Sequence, residues 1–222
     1  MKTTMKFNLV LCLLLAASFT SGDLKAQTLK ENPDLDKKVE KFLEEHAGQW
    51  YNMNVPTRDG QLLYDLIIQG NYKSALEIGT STGHSGIYIA WALSKTGGKL
   101  ITIDIDESSH KKAVQNFKEA GLSDYIDARL ADAHTLVKEL EGPFDFVFSD
   151  ADKNWYKNYF IDIDPKLIIG GCYTTHNIRE GNSSGRRGGG GSQEYVEYIR
   201  SLDNYETKFG GSSVLISYKR AE

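Results

Sequence analysis

Cysteine is scarce in this sequence, since only Cys12 and Cys172 occur among its 222 residues. Small disulfide-bonded domains and structural zinc clusters both need several cysteines at short spacing. The two cysteines lie far apart, so the sequence excludes both classes. We interpret Cys172 as a small buried apolar residue.

An excess of basic residues is also lacking, because 26 Lys and Arg stand against 30 Asp and Glu, and the net charge is −4. Binding to duplex nucleic acid depends on clustered Lys and Arg that neutralise phosphates. We therefore expect no nucleic-acid partner. The hydrophobic content of 40% and the charged content of 25% are ordinary for one globular domain.

Long apolar runs are scarce too, and the run Leu9–Ala17 follows the basic residues Lys2 and Lys6. It is too short to cross a bilayer, and its basic flank is typical of a secretory signal peptide. We predict a signal peptide over residues 1–26 and one domain over residues 27–222. The domain would be periplasmic or secreted, without stable membrane insertion, or cytoplasmic if the leader does not direct export.

Apolar periodicity predicts the order of helices and strands. Two amphipathic helices come first, and short apolar runs then alternate with helical stretches. This alternation is typical of βαβ units, in which helices cover both faces of a parallel sheet. The predicted helices are 34–46, 57–69, 85–95, 108–120, 133–140 and 193–202; the predicted strands before the last helix are 75–78, 100–103, 144–148 and 167–173.

The last two apolar runs, Tyr205–Phe209 and Val214–Tyr218, are joined by only four residues. That connection is too short for a crossover, so we predict an antiparallel hairpin. The fold class is therefore α/β: a doubly wound, Rossmann-like sheet of seven mostly parallel strands, with helices on both faces and an antiparallel C-terminal hairpin. The glycine-rich stretch 181–192 is predicted to be a loop.

A glycine-rich turn follows the first predicted strand and precedes a helix. Its glycines, Gly79, Gly83 and Gly86, leave room for a ligand to approach the backbone. Their spacing differs from that of dinucleotide-binding turns, which disfavours a nicotinamide oxidoreductase. The next strand ends at Asp104, where one carboxylate can bind both hydroxyls of a ribose. Together the two features predict a cofactor of the nucleoside type.

A second group of polar residues follows the strand 144–148. Asp150 comes directly after this strand, and His176 and Asn177 follow the next one. The carboxyl ends of parallel strands form the ligand crevice of such sheets, so these three side chains could meet around one cation. Alternatively, Asp150 or Asp152 caps a helix and the neighbouring lysine is solvated.

These motifs resemble the class I O-methyltransferases of the catechol and caffeoyl-CoA type, which use S-adenosylmethionine. The resemblance covers residues 34–219 and is closer to the catechol branch. Three stretches carry it: Met53-Asn54-Val55 with Gly60-Gln61, Glu77 to Ser85, and Asp150-Ala151-Asp152-Lys153 followed by Gly170-Gly171 and Asn177.

The resemblance implies roles for individual residues. Asp104 would hold the ribose, and Lys153 would be the general base that takes the proton of the reacting hydroxyl. Asp150 and Asn177 fall on metal-ligand positions. The residues implied around the methionine part of the cofactor are Val55, Glu77, Gly79, Ser81 and Ser85, and those beside the adenine are Asp132 and Ala133.

The sequence departs from the family at one metal position, where it has His176 in place of an aspartate. Magnesium is the metal that the family implies, whereas imidazole suits Mn²⁺, Co²⁺, Ni²⁺ and Zn²⁺ better than a carboxylate does. We therefore expect weaker retention of Mg²⁺ and better use of those metals. In the alternative interpretation His176 points away, and Asp150, Asn177 and water bind the metal.

The predicted activity is divalent-metal-dependent methylation of a small catechol-like phenol by a homodimer. Tyr51, Trp50 and Trp155 could form an aromatic substrate pocket, although aromatic residues are also ordinary core material. Glu206 is a candidate for holding the second hydroxyl, and Arg186 and Arg187 could attract a carboxylated catechol unless their loop is simply solvated. The alternatives are a caffeoyl-CoA-type enzyme and a non-catalytic protein that binds S-adenosylmethionine.

Overall fold

The computed structural model describes residues 29–51, 53–178 and 190–222. In this part of the chain, seven strands form one sheet with helices on both faces. The elements in chain order are α1 (Pro33–Glu45), α2 (Thr57–Gly70), β1 (Ser74–Ile78), α3 (His84–Thr96), β2 (Lys99–Asp104), α4 (Glu107–Ala120), β3 (Ile126–Leu130), α5 (Ala133–Glu139), β4 (Phe144–Ser149), α6 (Tyr156–Ile163), β5 (Leu167–Thr175), α7 (Gly190–Arg200), β6 (Tyr205–Gly210) and β7 (Val214–Lys219).

The strand order across the sheet is β3-β2-β1-β4-β5-β7-β6. The first five strands are parallel, and β7 runs antiparallel to both β5 and β6. The order reverses between β1 and β4, which makes the carboxyl ends of these two strands the expected ligand crevice. The predicted fold class, including the antiparallel C-terminal hairpin, is confirmed.

Apolar side chains of the central strands pack on both faces of the sheet. On β1, Leu76 belongs to the core beneath α5, α6 and α7, whereas Ala75 packs against α2 and α3. This alternation follows from the period of two residues along a strand. A register shift between Phe144 and Phe146 places both residues in buried positions on opposite faces. Because helices pack on both faces of the sheet, the carboxyl ends of its central strands are held rigidly.

Two elements do not appear among the predicted ranges. Strand β3 alternates Ile126, Ala128 and Leu130 with the charged Asp127 and Arg129, so it lacks a continuous apolar run. It lies at the edge of the sheet, where such a mixed strand is stable because one side pairs with β2. Helix α6 is short, and its tyrosines and phenylalanine obscure the helical period.

Helix α7 begins at Gly190, inside the stretch predicted as a loop, and ends at Arg200. The predicted signal peptide and the pair Arg186 and Arg187 lie outside the described residues. None of the described helices is long and apolar enough to cross a membrane.

Candidate active site

The glycine-rich turn after β1 is fixed by hydrogen bonds to the end of β2. Gly79 N and Thr80 N donate to Ile103 O at 2.9 and 3.1 Å, and Ser81 N donates to an Asp104 carboxylate oxygen at 2.6 Å. Gly79 has a φ of +100°, and a Cβ there would lie 2.7 Å from the backbone oxygen of Asp150. The turn therefore packs directly against the chain that leaves β4, and only glycine permits this approach.

Glu77 lies at the base of this turn and is fully buried. Thr102 Oγ1 donates to Glu77 Oε2 at 2.5 Å, and Glu77 Oε1 has no hydrogen-bond partner among the described residues. Burial raises the pKa of Glu77 to about 7, against the opposing effects of the Ser85 and Thr102 hydroxyls. A buried acceptor without a partner is unusual, and it fits a ligand that brings a hydrogen-bond donor.

Asp104 ends β2 and is held in one orientation. Its two oxygens accept from Ser81 N at 2.6 Å and from Asp106 N at 2.8 Å. Each carboxylate oxygen has a second lone pair, so the group can still accept from a diol.

The other residues implied for the cofactor lie along the same edge of the sheet. Val55 and Ser85 are buried beside the turn, and Val55 O contacts His84 Nδ1 at 2.8 Å. Asp132 caps α5 by accepting from His134 N at 2.9 Å, and Ala133 is buried in the first turn of that helix. The structure thus brings these residues to the carboxyl ends of β1, β2 and β3, with Ser81 beside Asp104.

Asp150, His176 and Asn177 meet at the carboxyl ends of β4 and β5. Asp150 Oδ2 lies 2.9 Å from His176 Nδ1, and Asn177 Nδ2 lies 3.0 Å from both Asp150 Oδ1 and His176 Nδ1. The ring of His176 therefore points into this cluster. The described residues contain no group of three or more His, Cys, Asp or Glu side chains arranged to hold a metal, so any metal here would also need the Asn177 amide.

The second nitrogen of His176 contacts Asp59, a residue that the sequence analysis missed. His176 Nε2 lies 3.0 Å from Asp59 Oδ2, and the Asp59 side chain is fully buried. Burial alone would lower the pKa of His176, but the hydrogen bonds and negative charges of Asp150 and Asp59 outweigh burial and raise it. In the sequence Asp59 looks like an ordinary acidic residue in the first turn of α2, so no local signal identifies it.

Lys153 lies on the loop that follows Asp150 and is partly buried. A Cβ at Gly191 would lie 2.6 Å from Lys153 O, so the start of α7 packs closely against this loop. The described residues offer the Lys153 amine no ion-pair partner. Lys153 is therefore not committed to an ion pair within the described part of the chain.

The three candidate substrate residues lie in different places. Tyr51 is 73% exposed near the glycine-rich turn. Trp155 packs edge-on against His134 at 4.6 Å between ring centroids, which places it beside the start of α5. Glu206 lies four residues before the hairpin turn and pairs with Arg220, so the structure does not bring it to the cluster.

A cavity of about 470 Å³ lies beside the hairpin turn between β6 and β7. Arg58, Ile178, Phe209 and Ser213 contribute to its lining. Ser213 Oγ is 3.3 Å from His176 Nε2, so the cavity adjoins the buried histidine.

A parallel sheet with an antiparallel last strand, a glycine-rich turn and an acidic residue at the end of the second strand define a class of protein, the Rossmann-like methyltransferases. Solved structures agree with this class. The O-methyltransferase from Bacillus cereus, solved in complex with SAH, superposes with a TM-score of 0.68 at 23% identity. The match covers 86% of this chain and 92% of the Bacillus cereus chain. TomG from Streptomyces achromogenes, solved in complex with SAM, has a TM-score of 0.67 at 22% identity over 87% of this chain and 92% of its own.

Sequence comparisons identify the family. The O-methyltransferase family matches residues 26–178. Caffeoyl-CoA O-methyltransferase 1 of Eucalyptus globulus is 29% identical over 184 residues, which cover 81% of this chain and 74% of that protein. Flavonoid 3',5'-methyltransferase of Vitis vinifera is 32% identical over 154 residues, 67% of this chain and 65% of that protein. The chain belongs to the O-methyltransferase family, whose enzymes are methyltransferases that use S-adenosylmethionine.

Replacing Glu77 by Gln tests whether burial raises the pKa of the Glu77 carboxyl group. Because the pKa of Glu77 rises from 4.5 to about 7, the folded state binds its proton more tightly than the unfolded state does. The contribution of this group to the free energy of unfolding is therefore greatest below pH 4.5 and falls by about 3 kcal/mol as the pH rises through 7. Glu77→Gln should remove that part of the pH dependence in urea unfolding between pH 4.5 and 8; parallel pH profiles for the two proteins would contradict this.

Replacing Gly79 by Ala tests the close contact between the glycine-rich turn and the backbone of Asp150. The variant carries both backbone strain and a clash with Asp150 O, and we expect it to lose about 2 to 4 kcal/mol of unfolding free energy. Gly48→Ala is the matched control, because Gly48 has a φ of +77° with no atom within 4 Å of an added Cβ. It should lose only the strain, about 1 kcal/mol. Equal losses in thermal unfolding would show that the contact is unimportant.

Proposed function

We propose that this enzyme transfers the methyl group of S-adenosylmethionine to a hydroxyl of a small catechol-like phenol with the help of a divalent cation. The observation that carries the proposal is the cluster of Asp150, His176 and Asn177, whose polar atoms lie within 3.0 Å of one another, with Lys153 on the loop that follows Asp150. This cluster adjoins the glycine-rich turn through the contact between Gly79 and Asp150. Methyl donor, cation and base would then share one edge of the sheet.

The residues at the turn fit S-adenosylmethionine. Glu77 Oε1 is a buried acceptor without a partner, and Asp104 is a fixed carboxylate at the end of β2. We assign the amino acid part of the cofactor to the side of Glu77 and the ribose hydroxyls to Asp104. When bound, the cofactor supplies a methyl group already activated by its sulfonium, so the chain's main task is to align the acceptor oxygen with it.

The residue types at Asp150 suit a divalent cation, since they offer a carboxylate, an imidazole and an amide. In this structure the three groups hydrogen-bond one another, so a cation would bind once Asn177 turns its amide oxygen inward and His176 Nδ1 gives up its contact with Asp150. Carboxylate and amide oxygens suit Mg²⁺, whereas imidazole favours Mn²⁺, Co²⁺, Ni²⁺ or Zn²⁺. When bound, the cation would act as a Lewis acid for the hydroxyls of a catechol, and it would ease the loss of a phenolic proton.

Lys153 is the chain's own group for taking that proton. It lies on the loop that follows Asp150, three residues after the carboxylate of the cluster, and it has no competing ion pair among the described residues. Asp150 itself is engaged with His176 and Asn177, so it is poorly placed to act as the base.

Two observations bear on the phenol. The cavity beside the hairpin turn is lined by Phe209 and Ile178, which suit an aromatic ring, and by Arg58, which suits an acidic substituent. The similar plant enzymes are named for caffeoyl-CoA and flavonoids, which also carry phenolic hydroxyls. A caffeoyl-CoA-type activity is therefore the second candidate.

A methylation assay after EDTA treatment tests the proposal. With protocatechuate as acceptor, product should form only when a divalent metal is added back. Lys153→Ala should lower kcat at least about 100-fold, as expected for loss of a general base. Lys157→Ala is the matched control, because Lys157 pairs with Glu194 away from the cluster, and it should keep wild-type activity.

The other outcomes separate the alternatives. Methylation of caffeoyl-CoA but not of protocatechuate would replace the small-phenol assignment with the CoA-ester assignment. Full activity in the presence of EDTA would refute the proposed dependence on a divalent metal. Binding of S-adenosylmethionine without product from either acceptor under any metal would favour a non-catalytic binding protein.

The identity of residue 176 should set the metal preference. The wild type should be more active with Mn²⁺, Co²⁺, Ni²⁺ or Zn²⁺ than with Mg²⁺, because imidazole is a poor ligand for Mg²⁺. His176→Asp should lower the apparent Kd for Mg²⁺ about tenfold, within the range by which altered metal surroundings change affinity. Equal activity with Mg²⁺ alone, together with no gain in His176→Asp, would contradict a role for the imidazole as ligand.

A further inference from the structure

The cavity beside the hairpin turn combines walls of different chemical character. Its volume of about 470 Å³ is ordinary for a pocket that binds a small molecule. Phe209 and Ile178 line it with apolar surface, and Ser213 adds a polar side chain. Gly210 and Gly211 also line it, so the turn between β6 and β7 projects no side chain into the space at these two positions.

Arg58 is the one charged side chain among the described residues that line this cavity. It lies in the first turn of α2 and is exposed. In the described part of the chain the arginines that form ion pairs are Arg129 and Arg220, so Arg58 is not committed to a carboxylate there. A guanidinium presents a planar fork of N–H donors that matches a carboxylate. The cavity therefore offers an uncommitted site for an anion.

The carboxylate of Asp59, the next residue, does not occupy this guanidinium. Asp59 is fully buried, and its two oxygens accept from Ser212 N at 2.6 Å and from Ser212 Oγ at 2.5 Å. One of these oxygens also lies 3.0 Å from His176 Nε2. The charge of Asp59 is thus satisfied inside the protein, and the positive charge of Arg58 is left for a ligand.

Phe209 gives the cavity an aromatic wall whose ring is fixed. The guanidinium carbon of Arg200 lies 5.3 Å from the ring centroid, and the side chain packs against the core beneath α7. A ring that is held in this way can meet a second ring edge-on or in an offset stack without first being ordered. Ile178 is buried and adds a further apolar contact. The lining as a whole suits an aromatic ring that carries an acidic group.

The cavity adjoins the cluster at which the acceptor is proposed to react. Ser213 Oγ lies 3.3 Å from His176 Nε2. Ile178 directly follows Asn177, and Ile178 N donates to Ser213 O at 2.9 Å. Two of the residues that line the cavity are therefore fixed against the cluster or next to it in the chain.

We propose that Arg58 is a specificity-determining residue that binds the carboxylate of an aromatic acid, whose ring lies in the cavity against Phe209 and Ile178. This inference rests on the methyl transfer to a phenol proposed above. It narrows the acceptor from small catechol-like phenols in general to those that carry a carboxylate, such as dihydroxybenzoates. Arg58 acts on the binding of the acceptor and takes no part in the transfer of the methyl group.

Two unreactive probes test the site without any methyl transfer. The anion para-fluorobenzoate carries the carboxylate, and para-fluorobenzamide is a neutral molecule of similar shape. Fluorine NMR gives the Kd of each in EDTA without cofactor. The wild type should bind the benzoate about tenfold or more tightly than the benzamide, because a hydrogen-bonded ion pair adds to the contact of the ring. Arg58→Gln should abolish this difference, and equal Kd values in the wild type would overturn the inference.

Steady-state kinetics test the role of Arg58 toward the acceptor. With protocatechuate, Arg58→Gln should lower kcat/KM about 10- to 100-fold through KM, as expected for loss of hydrogen bonds to a charged group. The value of kcat should stay within about twofold. With catechol, which has no carboxylate, both constants should keep their wild-type values. Arg58→Lys should fall between, because an ammonium keeps the charge but lacks the planar fork. Equal losses for both acceptors would contradict a role in specificity.

Two further variants separate the carboxylate contact from net charge and from the ring contact. Arg129→Gln makes the same change of charge on β3, at the other edge of the sheet, and should leave both Kd values unchanged. An effect as large as that of Arg58→Gln would attribute the preference to net charge and overturn the inference. Phe209→Leu should weaken the benzoate and the benzamide by the same factor, because both share the ring.

The outcomes distinguish this inference from the proposed function. If the wild type methylates protocatechuate and catechol and Arg58→Gln alters neither reaction, the inference is wrong and the proposed function stands. If the wild type methylates no phenol but binds para-fluorobenzoate through Arg58, the carboxylate site is supported and the proposed function is contradicted. A loss in Arg58→Gln that is confined to protocatechuate and para-fluorobenzoate supports both.

Discussion

The hydrogen bond from Asp150 N to Ile78 O, at 2.9 Å, joins the two strand ends on which the candidate site depends. It extends the parallel pairing of β1 with β4 by one residue beyond the last strand pair, Ile78 with Ser149. The glycine-rich turn leaves β1 at this point, and the Asp150 loop leaves β4 there. The glycine-rich turn and the Asp150 loop are consequently held at a distance that only movement of the central strands could change.

Buried negative charge is the second constraint on this edge of the sheet. Glu77 and Asp59 are both fully buried, yet their surroundings differ. Glu77 accepts one hydrogen bond, from Thr102, and its other oxygen has no partner among the described residues. Burial therefore outweighs the Ser85 and Thr102 hydroxyls and raises its pKa to about 7. Asp59 has a backbone donor, a hydroxyl donor and an imidazole within hydrogen-bond distance. Glu77 is thus left with capacity for a ligand, whereas Asp59 is committed to the protein.

The sequence was sufficient for those parts of the fold and site that are encoded locally. A turn follows directly from its own glycines, and the residues at the end of a parallel strand lie at one edge by topology alone. The position of Asp104 beside the glycine-rich turn, and that of Asp150 and His176 at the ends of two neighbouring strands, therefore follow from the sequence pattern alone. Strand β3 escaped prediction because an edge strand needs only one apolar face, and its charges interrupt the apolar run.

Contacts between distant segments could not be predicted in this way. Asp59 and His176 are 117 residues apart, and Asp59 and Ser212 are 153 apart, so no motif spacing links them. Glu206 shows the same limit, because the strand pairing of the hairpin decides which of its residues lie near the cluster. Its carboxylate pairs with Arg220 near the far end of β6, while residues 209–213 at the turn adjoin the cluster.

The contact between Asp59 and His176 also changes how a histidine at position 176 should be understood. The ring lies between two carboxylates, with Nδ1 2.9 Å from Asp150 Oδ2 and Nε2 3.0 Å from Asp59 Oδ2. Burial lowers the pKa of His176, but the hydrogen bonds and negative charges of the two carboxylates outweigh burial and raise it. A histidine here therefore favours positive charge at a position where an aspartate would carry negative charge, and the proposed cation would bind at Asp150 only by displacing the proton from Nδ1.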